Sequence, residues 1–197
     1  VYYINLDSSS RRRAHMEGHL EACGLSIHKN YTRIAATDGS TLVPAKNALF
    51  PAVSYSNADT HVLTWDLQSV EGFGGINSKM VALSLSHIRA IHTAYKEGRE
   101  TALIFEDDVD LREPEWLGAE DVSRALELLP PGWTIFQLGA IVASEVQVDG
   151  MRRAFEHGGQ LARHRDPCGS DWTLWGTFAY IISRKGMRRV LERYWPG

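Results

Sequence analysis

Thr101-Ala102-Leu103-Ile104-Phe105 is a short run without a single charge, and it ends abruptly in three carboxylates, Glu106-Asp107-Asp108. A strand that is apolar only at alternate positions buries one face. One that is apolar throughout buries both, so it belongs to a sheet covered on its two sides. The rest of the chain supplies the covers. Val1 to Asp7 reads as a first strand, broken by Ser8-Ser9-Ser10. A helix follows from Arg11 to Cys23, with Met16, Leu20 and Cys23 at helical spacing and Gly24 as its stop. Tyr31 to Ala36 gives a second strand, ended by the Asp38-Gly39 turn. Ser78 caps a long helix, Lys79 to Glu97, stopped by Gly98. A further helix fits Ala119 to Leu129, closed by Pro130-Pro131-Gly132. Strands over Trp133 to Leu138 and Gly176 to Ser183 precede a last helix, Arg184 to Arg193. Strands alternating with helices predict an α/β fold with a mostly parallel central sheet flanked by helices. Residues 40–77, with Pro44, Pro51, Gly72, Gly74 and Gly75, show no period and predict a long irregular loop, a functional loop or lid.

The 197 residues suit one domain with its own core. Apolar residues at 44% and charged ones at 23% exclude a disordered or fibrous chain. No apolar run approaches the roughly 18 residues of a membrane helix. A net charge of −3 argues against a nucleic-acid partner. The 16 Arg against 5 Lys suit phosphate and carboxylate recognition, although a GC-rich genome produces the same bias. Cys23 and Cys168 are better read as two thiols than as a disulfide, which leaves the redox compartment open. Asn30-Tyr31-Thr32 is a glycosylation sequon, informative only in a secretory pathway. Because the chain starts on Val1 within its first strand and stops at Gly197 just after its last helix, it is expected to be the core of a somewhat longer protein.

Three patterns carry chemistry. The first is the acidic triplet. Ligands of open α/β sheets bind outside the carboxyl ends of the strands, where this triplet should lie. Hard divalent cations take oxygen ligands, and Mg²⁺ or Mn²⁺ bridges one or two carboxylates to a diphosphate. In an extended segment Glu106 and Asp108 point one way and Asp107 the other, so Glu106 and Asp108 are expected to share a site. A solvated acidic turn is the plainer alternative. The spacing of an EF-hand calcium loop is absent. The second pattern is Arg11-Arg12-Arg13 after a strand and a small-residue turn, which suits a phosphate held by helix N–H groups and Arg forks. A solvated basic helix start explains it as well. Neither G-x-G-x-x-G nor a P-loop is present. The third is Ser84 with Ser86-His87. His87 shares a helix face with Met80 and Ile91 and looks inward, so a hydrogen-bonded core histidine is the plain reading. Ser-His catalysis lacks its sharp turn and its orienting acid, which excludes a hydrolase. His15-x-Glu17-x-His19 spaces two histidines for zinc, yet it is not H-E-x-x-H and reads as a solvated face. His157, His164 and Cys168 show no metal spacing.

Taken in order, these segments resemble glycosyltransferase family 25, the family of lipooligosaccharide and procollagen galactosyltransferases. Tyr3-Ile4-Asn5-Leu6-Asp7 with its Arg-rich turn is similar to the family's opening I-N-L-D/K-R-R. Ala82 to Ala90, containing Ser86-His87, resembles its G-C-x-x-S-H helix, with Lys79-Met80-Val81-Ala82 where the Gly-Cys pair would stand. Leu103 to Val109 resembles L-x-L-E-D-D-V, Phe136 to Gly139 its Y-L-G, and Gly176 to Gly186 its G-T-x-A-Y-x-I-S-x-x-G. The resemblance implies a GT-A type fold and inverting, metal-dependent transfer of a hexose, galactose or glucose, from a UDP-sugar to a glycan or hydroxylated polypeptide. It implies Mn²⁺ or Mg²⁺ on Glu106 and Asp108. Asp107, Asn5, Asp7, Arg12 and Arg13 would serve the nucleotide, and Ser86 and His87 the donor pocket. An inverting transfer also needs a base near the acceptor hydroxyl; Asp171, beside the sugar-stacking candidates Trp172 and Trp175, is expected to be that base. Bacterial members imply a cytoplasmic setting and eukaryotic ones a secretory lumen. A non-catalytic domain of the same fold is the rival reading, against which the intact acidic triplet counts. A nucleotidyltransferase would want a Gly- and Lys-rich loop after the first strand, and none is present.

Overall fold

A computed structural model describes residues 1–27, 29–41, 43–44, 53–54, 78–109, 124, 126–138, 141–142, 174–175 and 179–195. Its elements are β1 (Tyr2–Asn5), α1 (Ser10–Ala22), β2 (Thr32–Ala35), a 3-10 turn (Gly39–Thr41), β3 (Val43–Pro44), β4 (Val53–Ser54), α2 (Ser78–Lys96), β5 (Thr101–Glu106), β6 (Ile135–Gln137), β7 (Ile141–Val142), β8 (Leu174–Trp175), β9 (Ala179–Ser183) and α3 (Arg184–Tyr194). Five strands form the main sheet in the order β2-β1-β5-β9-β6. β1 runs parallel to β2 and to β5, whereas β9 runs antiparallel to β5 and β6. The sheet is therefore mixed, which corrects the expectation of a mostly parallel one. Helix–strand alternation dictates direction where a single crossover joins neighbouring strands, as α1 joins β1 to β2. A long stretch of chain separates β5 from β9, so alternation left the direction of β9 open.

Both faces of the sheet are covered, as the apolar run requires. All four residues of β1 are buried. Tyr2 and Ile4 join Ile34, Ile104 and Ile182 beneath Leu85, Ile88 and Ile91 of α2 and Met187 and Leu191 of α3. Tyr3 and Phe105 pack with Tyr31 against Met16 and Leu20 of α1. Since successive side chains of a strand alternate, these clusters lie on opposite faces. α1 is held mainly by that Met16–Leu20 pair, each worth about 1.5–3 kcal/mol when buried. Its remaining surface is polar, which leaves the first turn available to the sheet edge.

The predicted helix stops operate through glycine. Gly24 (φ 77°) and Gly98 (φ 75°) take left-handed conformations. Each lets the following amide reach back: Leu25 N to Leu20 O at 3.0 Å, and Arg99 N to Ala94 O at 3.1 Å. Ser183 caps α3, its Oγ accepting from Gly186 N at 3.1 Å.

Within residues 40–77, β3 and β4 pair antiparallel, a regular piece where the sequence predicted none. The remainder of that loop lies outside the described residues. So does most of the helix expected over Ala119 to Leu129, of which Arg124, Leu126 and Glu127 are helical. Among the described residues no helix is long and apolar enough to cross a membrane.

Candidate functional site

The carboxyl ends of β2, β1 and β5 form one edge, and the register places Ile4 beside Glu106. Asn5, the last residue of β1, therefore sits next to the acidic turn. Its side chain is 1% exposed. Asn5 Nδ2 donates to Asp107 Oδ2 at 2.5 Å and to Ser9 O at 3.2 Å. The other oxygen of Asp107 meets Arg12 NH1 at 3.1 Å, brought there by the first turn of α1. A buried carboxylate is costly unless its lone pairs are occupied. Here an amide and a guanidinium occupy them, so Asp107 is locked in place.

Arg12 NH1 also lies 3.7 Å from Asp108 Oδ2. The expected alternation of the triplet thus stops at Glu106, where β5 ends and the chain turns. Asp107 and Asp108 both approach Arg12, instead of pointing to opposite sides. Asp108 is the exposed member, at 59% of its side chain. Partial burial and the neighbouring Glu106 and Asp107 carboxylates push its carboxyl above the usual range, with Arg12 working the other way.

On the β2 side, Arg33 completes the edge. Its Nε donates to Asn5 Oδ1 at 3.0 Å, and its NH2 donates to Asn5 O at 3.1 Å and to Asp7. The Arg33 hydrogen bond and charge hold the Asp7 carboxyl below the usual range, and Arg13 adds to the pull. Asp7–Arg33–Asn5–Asp107–Arg12–Asp108 is one continuous polar chain across three parallel strands. The sequence reading missed Arg33. Its signal was a lone cation in the otherwise uncharged Thr32–Ala35 strand, visible as important only once β2 is known to lie beside β1.

α2 approaches from the sheet face and delivers His87 to the end of β5. His87 is 6% exposed. Its Nε2 lies 3.3 Å from Glu106 Oε1, and its Nδ1 lies 3.1 Å from the hydroxyl of Tyr180, a residue of β9. His87 is thus a hydrogen-bonded interior histidine, and it also touches the acidic turn. Ser86, equally interior, donates from Oγ to Ala82 O at 2.6 Å and accepts from Thr37 N at 2.8 Å. Its hydroxyl ties α2 to the segment that leaves β2.

Glu106 and Asp108 offer hard oxygen donors in a turn with excess negative charge, which suits Mg²⁺ or Mn²⁺. Among the described residues no group of three or more His, Cys, Asp and Glu side chains is arranged to hold a metal ion. A cation here would rest on these two carboxylates plus oxygens of the ligand, the usual situation for ions that keep substrate phosphates in their shell. Asp171 and Trp172 lie outside the described residues, as do His157, His164 and Cys168; the backbone of Trp175 belongs to β8, paired with β7. Asn5, Asp7, Arg12, Ser86, His87, Glu106, Asp107 and Asp108 all fall on or behind this one edge, and Arg13 acts on Asp7 there.

A family model described as glycosyltransferase family 25 (LPS biosynthesis protein) matches residues 1–196. No curated protein matches the chain.

Proposed function

The chain belongs to glycosyltransferase family 25, and from that premise we propose that it moves a hexose, galactose or glucose, from a UDP-sugar to a hydroxyl of a glycan or hydroxylated polypeptide, with inversion and with Mn²⁺ or Mg²⁺ bound. The observation that carries this reading is the crowded acidic turn at the β1–β5 edge, with Asp107 locked and Asp108 exposed. The two-sided α/β sheet is what a GT-A type fold needs at its nucleotide end, and that assignment is part of the proposal.

The residues divide the work. Glu106 and Asp108 supply oxygens for the cation, and Asp107 fixes the turn that presents them. When bound, the cation supplies Lewis-acid stabilisation of charge on the departing diphosphate. Arg12 and Arg13, at the start of α1, add positive charge and helix N–H groups for the phosphates. Asn5 and Asp7 edge the nucleotide side, and Ser86 and His87 back the donor pocket. Asp171 takes the proton from the acceptor hydroxyl as it attacks the anomeric carbon from the side opposite UDP.

The test is calorimetric titration with UDP, with and without Mn²⁺, followed by a screen of UDP-sugars for transfer and hydrolysis with products identified by mass spectrometry. Metal-dependent UDP binding and release of UDP from a hexose donor are expected. No binding at millimolar UDP in the presence of Mn²⁺ sinks the proposal in favour of a non-catalytic domain.

A further inference from the structure

We infer that Tyr180 is a positioning residue for sugar transfer, setting through His87 the orientation in which Glu106 presents its carboxylate. The inference rests on the transferase reading of the acidic turn, but its geometry does not. Tyr180 lies on β9, opposite Ile104 of β5, and so two residues back from Glu106 on the adjacent strand. Its ring and that of His87 are 5.6 Å apart at 37°. Both side chains are nearly sealed from water, at 7% and 6% exposure. The three groups come from three elements, β9, α2 and β5, and meet in a line ending on the Glu106 oxygen.

Proton accounting makes this line directional. A carboxylate only accepts. For neutral His87 to bond Glu106 Oε1, its hydrogen must therefore sit on Nε2, which leaves Nδ1 an acceptor. The Tyr180 hydroxyl must then donate. Burial, with the Glu106 charge as the smaller cause, holds that phenol protonated well above the ordinary tyrosine range, so the hydrogen is there to give. The chain reads Tyr180 O–H to Nδ1, then Nε2–H to Oε1. It selects one of two tautomers and one ring orientation, as outer partners do for histidines at metal sites. Without the hydroxyl, a buried Nδ1 acceptor loses this donor. The ring then gains reason to turn or change tautomer, and Glu106 loses its fixed rest.

Tyr180→Phe keeps the ring and removes only the hydroxyl. The experiment uses the whole chain with ¹⁵N-labelled histidine, reading the His87 tautomer from long-range ¹H–¹⁵N spectra, beside UDP-hexose turnover. Wild type should show hydrogen on Nε2. The variant should fold, shift His87 towards the other tautomer or a mixture, and lose kcat by about 10- to 100-fold, with a smaller change in KM for the donor. A wild-type His87 carrying its hydrogen on Nδ1 overturns the inference without any variant, and so stands even if Tyr180→Phe folds poorly. A folded variant with unchanged kcat overturns it too, whatever its tautomer. A wild type that transfers no sugar fails the transferase reading and takes the catalytic half of the inference with it. The tautomer comparison in that case still separates a broken relay from a broken function.

Discussion

Replacing Asn5 with Leu isolates what holds the acidic turn together. The two side chains have nearly the same shape, so packing changes little. What disappears is the 2.5 Å donation to Asp107, the 3.2 Å donation to Ser9 O and the acceptor for Arg33 Nε at 3.0 Å. A hydrogen bond to a charged group is worth about 1.5–3 kcal/mol and a neutral one about 0.5–1.5. With Asp107 only 6% exposed, the upper part of the first range applies. Arg33 is charged as well, so two of the three bonds are of the first kind, and the sum is about 4–7 kcal/mol, a large share of the roughly 5–15 kcal/mol that stabilises a domain. Asp107→Asn supplies the control, because it removes the charge and keeps the shape. In the double variant the lost donor faces a neutral group, so the penalty should fall short of the summed single penalties. The expected shortfall is about 1–2 kcal/mol, the difference between a charge-assisted and a neutral bond. Urea unfolding followed by far-UV circular dichroism, with equal m-values, measures all four corners of the cycle. Additivity within about 0.5 kcal/mol would refute the coupling, and with it the claim that Asn5 is present to satisfy a buried carboxylate.

Asp108→Ala should abolish Mn²⁺-dependent turnover of the UDP-sugar while leaving the melting temperature within a few degrees, since Asp108 is mostly solvated; wild-type turnover in this variant removes Asp108 from the metal role. Gly186→Ala should cost about 1–3 kcal/mol, because the new methyl collides with the backbone carbonyl of Thr134; an unchanged thermal midpoint shows that α3 can shift away. The pH dependence has a definite sign. Burial raises the hydroxyl pKa of Tyr2, Tyr3, Tyr31 and Tyr180, Glu97 and Glu17 reinforcing it at the first two. The fold therefore favours the protonated phenols. Their contribution is fully present below the ordinary tyrosine pKa near 10 and is lost as pH rises above it. Urea midpoints should fall between about pH 10 and 12, with tyrosinate absorbance growing in step with unfolding. Titration of all tyrosines near pH 10 in a chain that stays folded contradicts this.

The one-dimensional pattern carried a good deal. The apolar run before Glu106 demanded a sheet covered on both faces, and Tyr2–Ile4 against α2 and Tyr3–Phe105 against α1 supply the two covers. Glycines at 24 and 98 marked helix ends because a left-handed residue is a local property. The acidic triplet could be placed at a strand end for the same reason, since a strand and its exit are contiguous in sequence. What neighbours in sequence cannot encode is partnership across strands. Asn5 and Asp107 are brought together only by the parallel pairing of β1 with β5, and Arg33 joins them only because β2 lies on the other side of β1. The direction of β9 was equally undetermined, because no short crossover constrains it; yet that direction is what carries Tyr180 to His87. The division of labour inside the triplet was decided in three dimensions as well. Three adjacent carboxylates look alike in sequence. Burial, an amide and a guanidinium make Asp107 a fixed support, while Asp108 keeps its oxygens in water and Glu106 rests on a histidine.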